Sequence, residues 1–146
     1  MFLEGQIIYF EPFYFKNGNT AKNKSFIVLK NIDNITIIAS LPTRTSKAPA
    51  LINVTHGCMN DDERCFNCYL FEKDKVITDT GFAFDMNTYV YGNEVEDYEV
   101  QILSSVYAIE NVDYIIIGKL NDNEYSNLYK CLTNSTSIKR RLKRLL

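Results

Sequence analysis

SFIVLKNIDNITIIASL, residues 25–41, is the stretch that decides the fold. It holds two runs rich in isoleucine, valine and leucine, at residues 25–32 and 34–41. Short apolar runs of this composition, bounded by asparagine or proline, are typical of buried strands. Only four residues, 31–34, lie at their junction, and asparagine and aspartate there tolerate turn geometry. The stretch therefore predicts an antiparallel hairpin.

Comparable runs continue on both sides of the hairpin. In the run that ends at Met86, the side chains of Phe82, Phe84 and Met86 alternate onto one face, as in a half-buried strand. About seven short strands at this spacing predict a β-barrel or a β-sandwich. The further predicted strands cover residues 5–15, 50–56, 65–71, 76–84 and 87–92.

The last third of the chain has a helical pattern instead. Tyr125, Leu128, Tyr129 and Leu132 fall at i, i+3, i+4 and i+7, which predicts a helix over residues 122–133 packed on the core. Either Asn121 or Asp122 can cap its amino-terminal end.

A basic tail over residues 137–146 predicts a second, shorter helix after Ser137. Its apolar residues would face inward, and its basic residues would form a solvated face where the helix macrodipole favours positive charge. Phosphate binding is the alternative role for these cations. The inward residues are Ile138, Leu142 and Leu145, and the basic ones are Lys139, Arg140, Arg141, Lys143 and Arg144.

Length and composition indicate a single folded domain over residues 1–146, with 46% hydrophobic and 23% charged residues. The amino terminus lacks the pattern of a secretory leader, and no apolar run is long enough for a membrane helix. We therefore expect a cytoplasmic protein without a membrane partner.

Charge is distributed unevenly along the chain. Its balance is +3 over residues 1–60, −10 over residues 61–130 and +5 over the last sixteen, which sums to the net charge of −2. A basic face built from the first third and the tail could attract phosphates. The acidic run 94–99, EVEDYE, is expected to be a solvated edge that borders one side of such a groove.

Several segments, taken in order, resemble the MazF/PemK family of toxins. The resemblance rests on the segments Gly5-Gln6-Ile7-Ile8, Lys24-Ser25-Phe26-Ile27-Val28-Leu29, a third strand that leads to Thr43, and Ile117-Gly118-Lys119-Leu120 before the helix. It covers about residues 5–50 and 110–133. The acidic middle of the chain is not matched.

The resemblance implies a mainly β fold with C-terminal helices, built on a small SH3-like barrel that forms a homodimer. It also implies cleavage of single-stranded RNA without a metal or other cofactor, and inhibition by an antitoxin protein. In this reaction a ribose 2′-hydroxyl attacks the adjacent phosphate, which requires a proton acceptor, a proton donor and groups that stabilise the charge on phosphorus.

Three residues are the predicted catalytic set. Thr43 takes the family's threonine position, and Arg44 can engage two phosphate oxygens at once. Lys24 stands where the family has arginine before proline, so the bidentate grip is lost at this position, which affects catalysis more than binding. The predicted RNA-binding residues are Lys16, Lys22, Thr45, Ser46 and Lys47.

Two of these groups have simpler interpretations. The run LPTRTSKAP, residues 41–49, has the composition of an ordinary loop. We call residues 13–24 the first loop. Phe13 and Phe15, where the preceding strand enters it, share one face of that strand and are expected in the core. The lysines beside them are either solvated or hold phosphates.

His56 is the only histidine and is a possible general base, since its ordinary pKa lies near 6.5. A hydrogen-bonded structural role is the alternative. His56, Cys58, Cys65 and Cys68 also have the composition of a tetrahedral zinc site. However, Cys65 and Cys68 point to opposite faces of a strand, so we expect no metal and reduced, buried cysteines.

The sequence leaves three hypotheses. The first is a toxin-like endoribonuclease that uses Thr43, Arg44 and Lys24. The second is a barrel of the same shape that binds RNA or a partner peptide without cutting. The third is a zinc-stabilised interaction module centred on residues 56–68.

Overall fold

The computed structural model of the protein describes residues 1–42, 55–61 and 66–146. The fold is mainly β, with two helices at the carboxyl-terminal end, as the sequence predicts. A further helix, which was not predicted, follows the acidic run. The elements are β1 Gln6–Phe13, β2 Lys22–Ile32, β3 Ile35–Ser40, β4 Gly57–Asp61, β5 Phe66–Phe71, β6 Thr88–Tyr91, a 3₁₀ turn Gly92–Glu94, β7 Val95–Glu99, α1 Val100–Val106, β8 Tyr114–Lys119, α2 Asp122–Thr133 and α3 Arg140–Leu145.

The strands form two antiparallel sheets. Five strands pair in the order β7-β3-β2-β1-β8, and three pair in the order β4-β5-β6. The predicted hairpin is confirmed: Ile32 pairs with Ile35, and Asp33 takes a φ of 50° in the turn between them. Within the described ranges, these pairings do not close into a barrel.

Both faces of the five-stranded sheet are buried, which explains the continuous apolar run in β2. Ile27 and Leu29 face β5, β6, α2 and α3. Phe26 and Val28 face the opposite side, where Phe2, Leu103 of α1 and Tyr107 cover the sheet. Successive residues of a strand point to opposite faces, so a strand covered on both sides is apolar at every position.

Helix α2 begins and ends where the sequence predicts. The side chain of its cap, Asn121, accepts a hydrogen bond from the Glu124 amide at 2.8 Å. Leu128 and Leu132 are buried, and the phenol of Tyr125 donates to the Leu29 carbonyl at 2.6 Å. The helix therefore packs its predicted apolar stripe on the core, beside β4 and β5.

The predicted strand over residues 76–84 is wrong. This segment is a loop in which the Ile77 amide donates to the Phe82 carbonyl and the Phe82 amide donates to the Thr78 hydroxyl, both at 2.9 Å. Gly81 reverses the chain there with a φ of 91°. Phe82 and Phe84 still pack on the core, whereas Met86 is 42% exposed.

The acidic run 94–99 lies at an edge, as predicted, because its residues 95–99 form the edge strand of the five-stranded sheet. Residues 95–99 form β7, which pairs with β3 from Ala39 to Ile35. Cations from the first loop and from the tail lie against its carboxylates. Of the strand predicted over residues 50–56, residues 50–54 lie outside the described ranges, and His56 lies just before β4.

The prediction of reduced cysteines is wrong for one pair. Cys58 of β4 and Cys131 of α2 form a disulfide, which joins the small sheet to the helix. Cys68 is a free, buried thiol, as predicted. Cys65 lies outside the described residues. Within the described ranges, every helix is too short or too polar to cross a lipid bilayer.

Candidate functional site

A polar cavity of about 590 Å³ opens on the Phe26 face of the five-stranded sheet, where β2 and β3 meet the first loop. We call it the Lys24 cavity. Lys22, Lys24 and Phe26 are two positions apart on β2, so their side chains reach the same face. The cavity is also lined by Phe15, Lys16, Asn17, Asn19, Thr20, Ser40, Glu94, Glu96 and Tyr98.

Lys24 is the central cation of this cavity. Burial lowers the pKa of its ammonium below the usual value, the charge of Lys22 lowers it further, and the charge of Glu94 opposes both effects. Among the described residues, no carboxylate lies within ion-pair distance of Lys24. A partly buried lysine without a close partner is a good proton donor and can receive an anion.

The other two lysines of the cavity differ in their surroundings. The Lys16 ammonium donates to the Asp97 carbonyl at 2.6 Å, lies 3.2 Å from an Asp97 carboxylate oxygen and sits 4.9 Å from the centre of the Tyr98 ring. Within the described part of the chain, the contact of the Lys22 ammonium is with the ring of Phe15, 5.9 Å from its centre. Lys22 and Lys24 are therefore the cations available to a ligand, whereas Lys16 is engaged by the wall.

Aromatic and acidic side chains complete the walls. Phe13 is fully buried, as predicted, but Phe15 is only half-buried and lines the cavity. Burial, together with the charge of Glu96, raises the pKa of Tyr98 to about 12, so its phenol is neutral at pH 7. The combination of aromatic rings, amides and cations suits a ligand that has both a base and a phosphate.

An ion-pair cluster lies on β7 beside the cavity, which Glu96 lines and Asp97 does not. The Arg141 guanidinium donates two hydrogen bonds to the Asp97 carboxylate, at 2.8 and 3.0 Å. Lys139 contacts Glu96, and Lys16 bridges Glu96 and Asp97. The hydrogen bond from Arg141, aided by Lys16, lowers the pKa of Asp97 to about 2.

This cluster makes stability depend on pH in the acid range. The folded-state pKa of Asp97 lies near 2, below the ordinary value of about 3.9. The contribution of its ion pairs to the free energy of unfolding is therefore complete above about pH 4, and it is lost as the pH falls toward 2. As the pH falls, the free energy of unfolding of the wild type should drop by about 1 kcal/mol more than that of Asp97→Asn. This magnitude allows for solvent screening of the exposed cations. Urea unfolding at about pH 4 and at about pH 2 measures this difference. Asp79→Asn, which replaces an exposed carboxylate, is the control. An equal acid dependence in both variants contradicts the assignment.

His56 lies outside the Lys24 cavity and has no free nitrogen. Its Nδ1 accepts a hydrogen bond from the Glu72 amide at 3.0 Å, and its Nε2 donates to the Glu124 carboxylate. The Tyr69 hydroxyl donates to the same carboxylate oxygen at 2.7 Å. The side chains of His56 and Glu124 are only 10% and 7% exposed. The hydrogen bonds at both nitrogens favour the structural role that the sequence offers as the alternative for His56, and its role as a base stays a prediction.

The zinc alternative loses a ligand to the disulfide, since Cys58 is bonded to Cys131. Among the described residues, no group of three histidine, cysteine, aspartate or glutamate side chains is arranged to hold a metal ion. Cys68 is buried, and burial raises the pKa of its thiol to about 12, so it remains protonated.

Predicted site residues thus fall into two groups. Lys16, Lys22 and Lys24 come together in one cavity. The predicted residues Thr43, Arg44, Thr45, Ser46 and Lys47 lie outside the described residues. Sequence reasoning missed Glu94 as a neighbour of Lys24. The acidic run was an indirect signal for it, because that run was expected to border a groove.

We compared the chain with protein-family models, with curated proteins and with solved structures, and found no match in any of the three.

Proposed function

We propose that the protein is a metal-independent endoribonuclease that cleaves single-stranded RNA in the Lys24 cavity. The observation that carries the proposal is Lys24 itself: a partly buried lysine with a lowered pKa and no close carboxylate partner among the described residues, in a cavity of about 590 Å³. Ionisable groups perturbed in this way, inside a cleft, cluster at catalytic sites.

The proposed reaction assigns a role to each group. The ribose 2′-oxygen forms a bond to the adjacent phosphorus, and its proton passes to the carboxylate of Glu94. The bond from phosphorus to the 5′-oxygen breaks, and Lys24 supplies the proton to that leaving oxygen. The products are a 2′,3′-cyclic phosphate and a free 5′-hydroxyl. A lowered pKa makes Lys24 a stronger acid, and therefore a better donor near neutral pH.

The resemblance to the MazF/PemK family enters this proposal as well. The succession β1, β2, β3 and the passage into α2 from β8, which ends with Gly118 and Lys119, correspond to the sequence segments on which that resemblance rests. Under the proposal the chain has the SH3-like architecture of that family, forms a homodimer in the cytoplasm and is inhibited by an antitoxin protein. Thr43 and Arg44 then bind the scissile phosphate.

A gel assay with mixed-sequence RNA in the presence of a chelator tests the proposal. We expect fragments that end in a cyclic phosphate, and we expect Thr43→Ala and Arg44→Ala to lose most of the cleavage. Lys75→Ala is the matched control, because Lys75 is an exposed lysine that does not line the cavity. Cleavage that requires added metal, or that survives in both Thr43→Ala and Arg44→Ala, contradicts the proposal.

A second candidate is a domain that binds RNA or a peptide without cutting. The observation that favours it is that both nitrogens of His56, the single histidine of the sequence, are occupied, so that cleavage depends on the exposed Glu94 as its base. In the same assay, RNA binding without fragments supports this candidate over the first.

A further inference from the structure

The exposed face of α3 carries cations that the Lys24 cavity does not use. Residues 139–144 contain five basic residues and no acidic one. Lys139 and Arg141 are neutralised by Glu96 and Asp97 of β7. Among the described residues, Arg140, Lys143 and Arg144 have no carboxylate partner, and all three are exposed.

The packing of α3 fixes which way these three cations face. Leu142 is fully buried and Ile138 is 5% exposed, so the helix is anchored on its apolar side. Arg140 and Arg144 are four positions apart and share one face. With Lys143 they form a solvent-facing basic surface about 6 Å long along the helix axis.

This basic surface and the Lys24 cavity lie on opposite faces of the five-stranded sheet and meet at its edge strand, β7. Glu96, which lines the cavity, contacts Lys139 at the start of α3, and Lys16 joins the same carboxylate at 3.6 Å. Arg141 is bound to Asp97, the next residue of β7. An RNA strand bound in the cavity can therefore cross the β7 edge of the sheet to reach α3.

We infer that Arg140, Lys143 and Arg144 bind the phosphates of single-stranded RNA that extends from the Lys24 cavity. This inference rests on the proposed function, since it assigns the cavity to the same RNA. Exposed cations without carboxylate partners fit a polyanion, because binding releases counterions from its phosphates. The two neutralised residues, Lys139 and Arg141, hold the helix in place and are not part of the surface.

The test measures binding of 2′-O-methyl RNA, which cannot be cut, at two lengths of about 4 and about 16 nucleotides. The variant replaces Arg140, Lys143 and Arg144 with glutamine. We expect its affinity for the longer RNA to fall about tenfold or more, with the slope of log affinity against log salt reduced by about 2. Affinity for the shorter RNA should not change. The control replaces Lys73, Lys75 and Lys119 with glutamine, which removes the same charge elsewhere.

The other outcomes contradict the inference about α3, the proposed function, or both. If the triple variant binds the longer RNA as tightly as the wild type does, the inference about α3 fails, while tight binding of the shorter RNA preserves the proposed function. If neither RNA binds the wild type, the proposed function fails as well. If the variant instead loses binding to phosphatidylglycerol vesicles and keeps RNA binding, the partner of this surface is a membrane.

Discussion

Replacing Lys24 with arginine should lower the rate of RNA cleavage by a factor of about 100 or more while RNA binding stays close to that of the wild type. Arginine keeps the positive charge, so it still attracts the phosphate. The bidentate phosphate contact that the family's arginine provides is assigned to Arg44 in this chain, so arginine at position 24 adds no function that is missing here. Its guanidinium does not release a proton at any ordinary pH, so it cannot protonate the leaving 5′-oxygen. Single-turnover cleavage and binding of uncleavable RNA separate the two effects.

The pH profile gives a second readout of the same role. A general acid must be protonated, so the cleavage rate of the wild type should fall as pH rises through the pKa of Lys24. Burial and the charge of Lys22 place that pKa below the usual 10.5 of lysine. Lys24→Arg should lack this limb, and Lys22→Gln, which removes the neighbouring charge, should shift it to higher pH. A limb that persists in Lys24→Arg belongs to another group and contradicts the assignment.

Local signals in the sequence were sufficient for the parts of the fold that form between near neighbours. The hairpin of β2 and β3 needs only two apolar runs and a turn at Asp33, and α2 needs its apolar stripe and the cap at Asn121. Helix α1 has no such signal. Its seven residues form only two turns, and Ile102 and Val106 are 53% and 44% exposed while Leu103 is buried, so its apolar residues do not mark the face that packs.

The loop at residues 76–84 misled the strand prediction for a related reason. Phe82 and Phe84 alternate with smaller residues, and both side chains pack on the core. Their backbone carbonyls, however, accept hydrogen bonds from the amides of Ile77 and Asp74, which are near neighbours in the chain. Alternating apolar residues indicate which side chains are buried, but they do not indicate which residues the backbone is hydrogen-bonded to. The hydrogen bond that the Phe82 amide donates to the Thr78 hydroxyl stands in place of a strand ladder there, and it depends on side-chain geometry that a hydrophobic pattern does not contain.

The candidate site divides in the same way. Lys22 and Lys24 share a face because they are two positions apart on one strand, which the sequence specifies directly. Glu94 reaches the cavity because the strand after it pairs with β3, from Val95 onward, and the network of His56 and Glu124 joins residues 68 positions apart. Contacts of that range depend on how sheets and helices pack, and spacing in the chain does not determine them.

Replacing Glu124 with alanine should lower the free energy of unfolding by about 2 to 5 kcal/mol. Glu124 is the third residue of α2, where a negative charge is favoured by the helix macrodipole. Its carboxylate accepts from the His56 ring and from the Tyr69 hydroxyl, and all three groups are largely buried. Alanine leaves both donors without an acceptor away from water. Glu124→Gln keeps one acceptor oxygen, so a smaller loss is expected, and urea unfolding measures both.

A double variant identifies the cause of that loss. If the unsatisfied Tyr69 hydroxyl accounts for part of it, Tyr69→Phe should restore about 1 kcal/mol in the Glu124→Ala background, although it destabilises the wild type. Glu110→Ala, which removes an exposed carboxylate, is the control and should change stability by less than about 0.5 kcal/mol. If Glu124→Ala is no more destabilising than this control, the buried network contributes nothing to the fold, and the alternative role of His56 as a base has to be considered again.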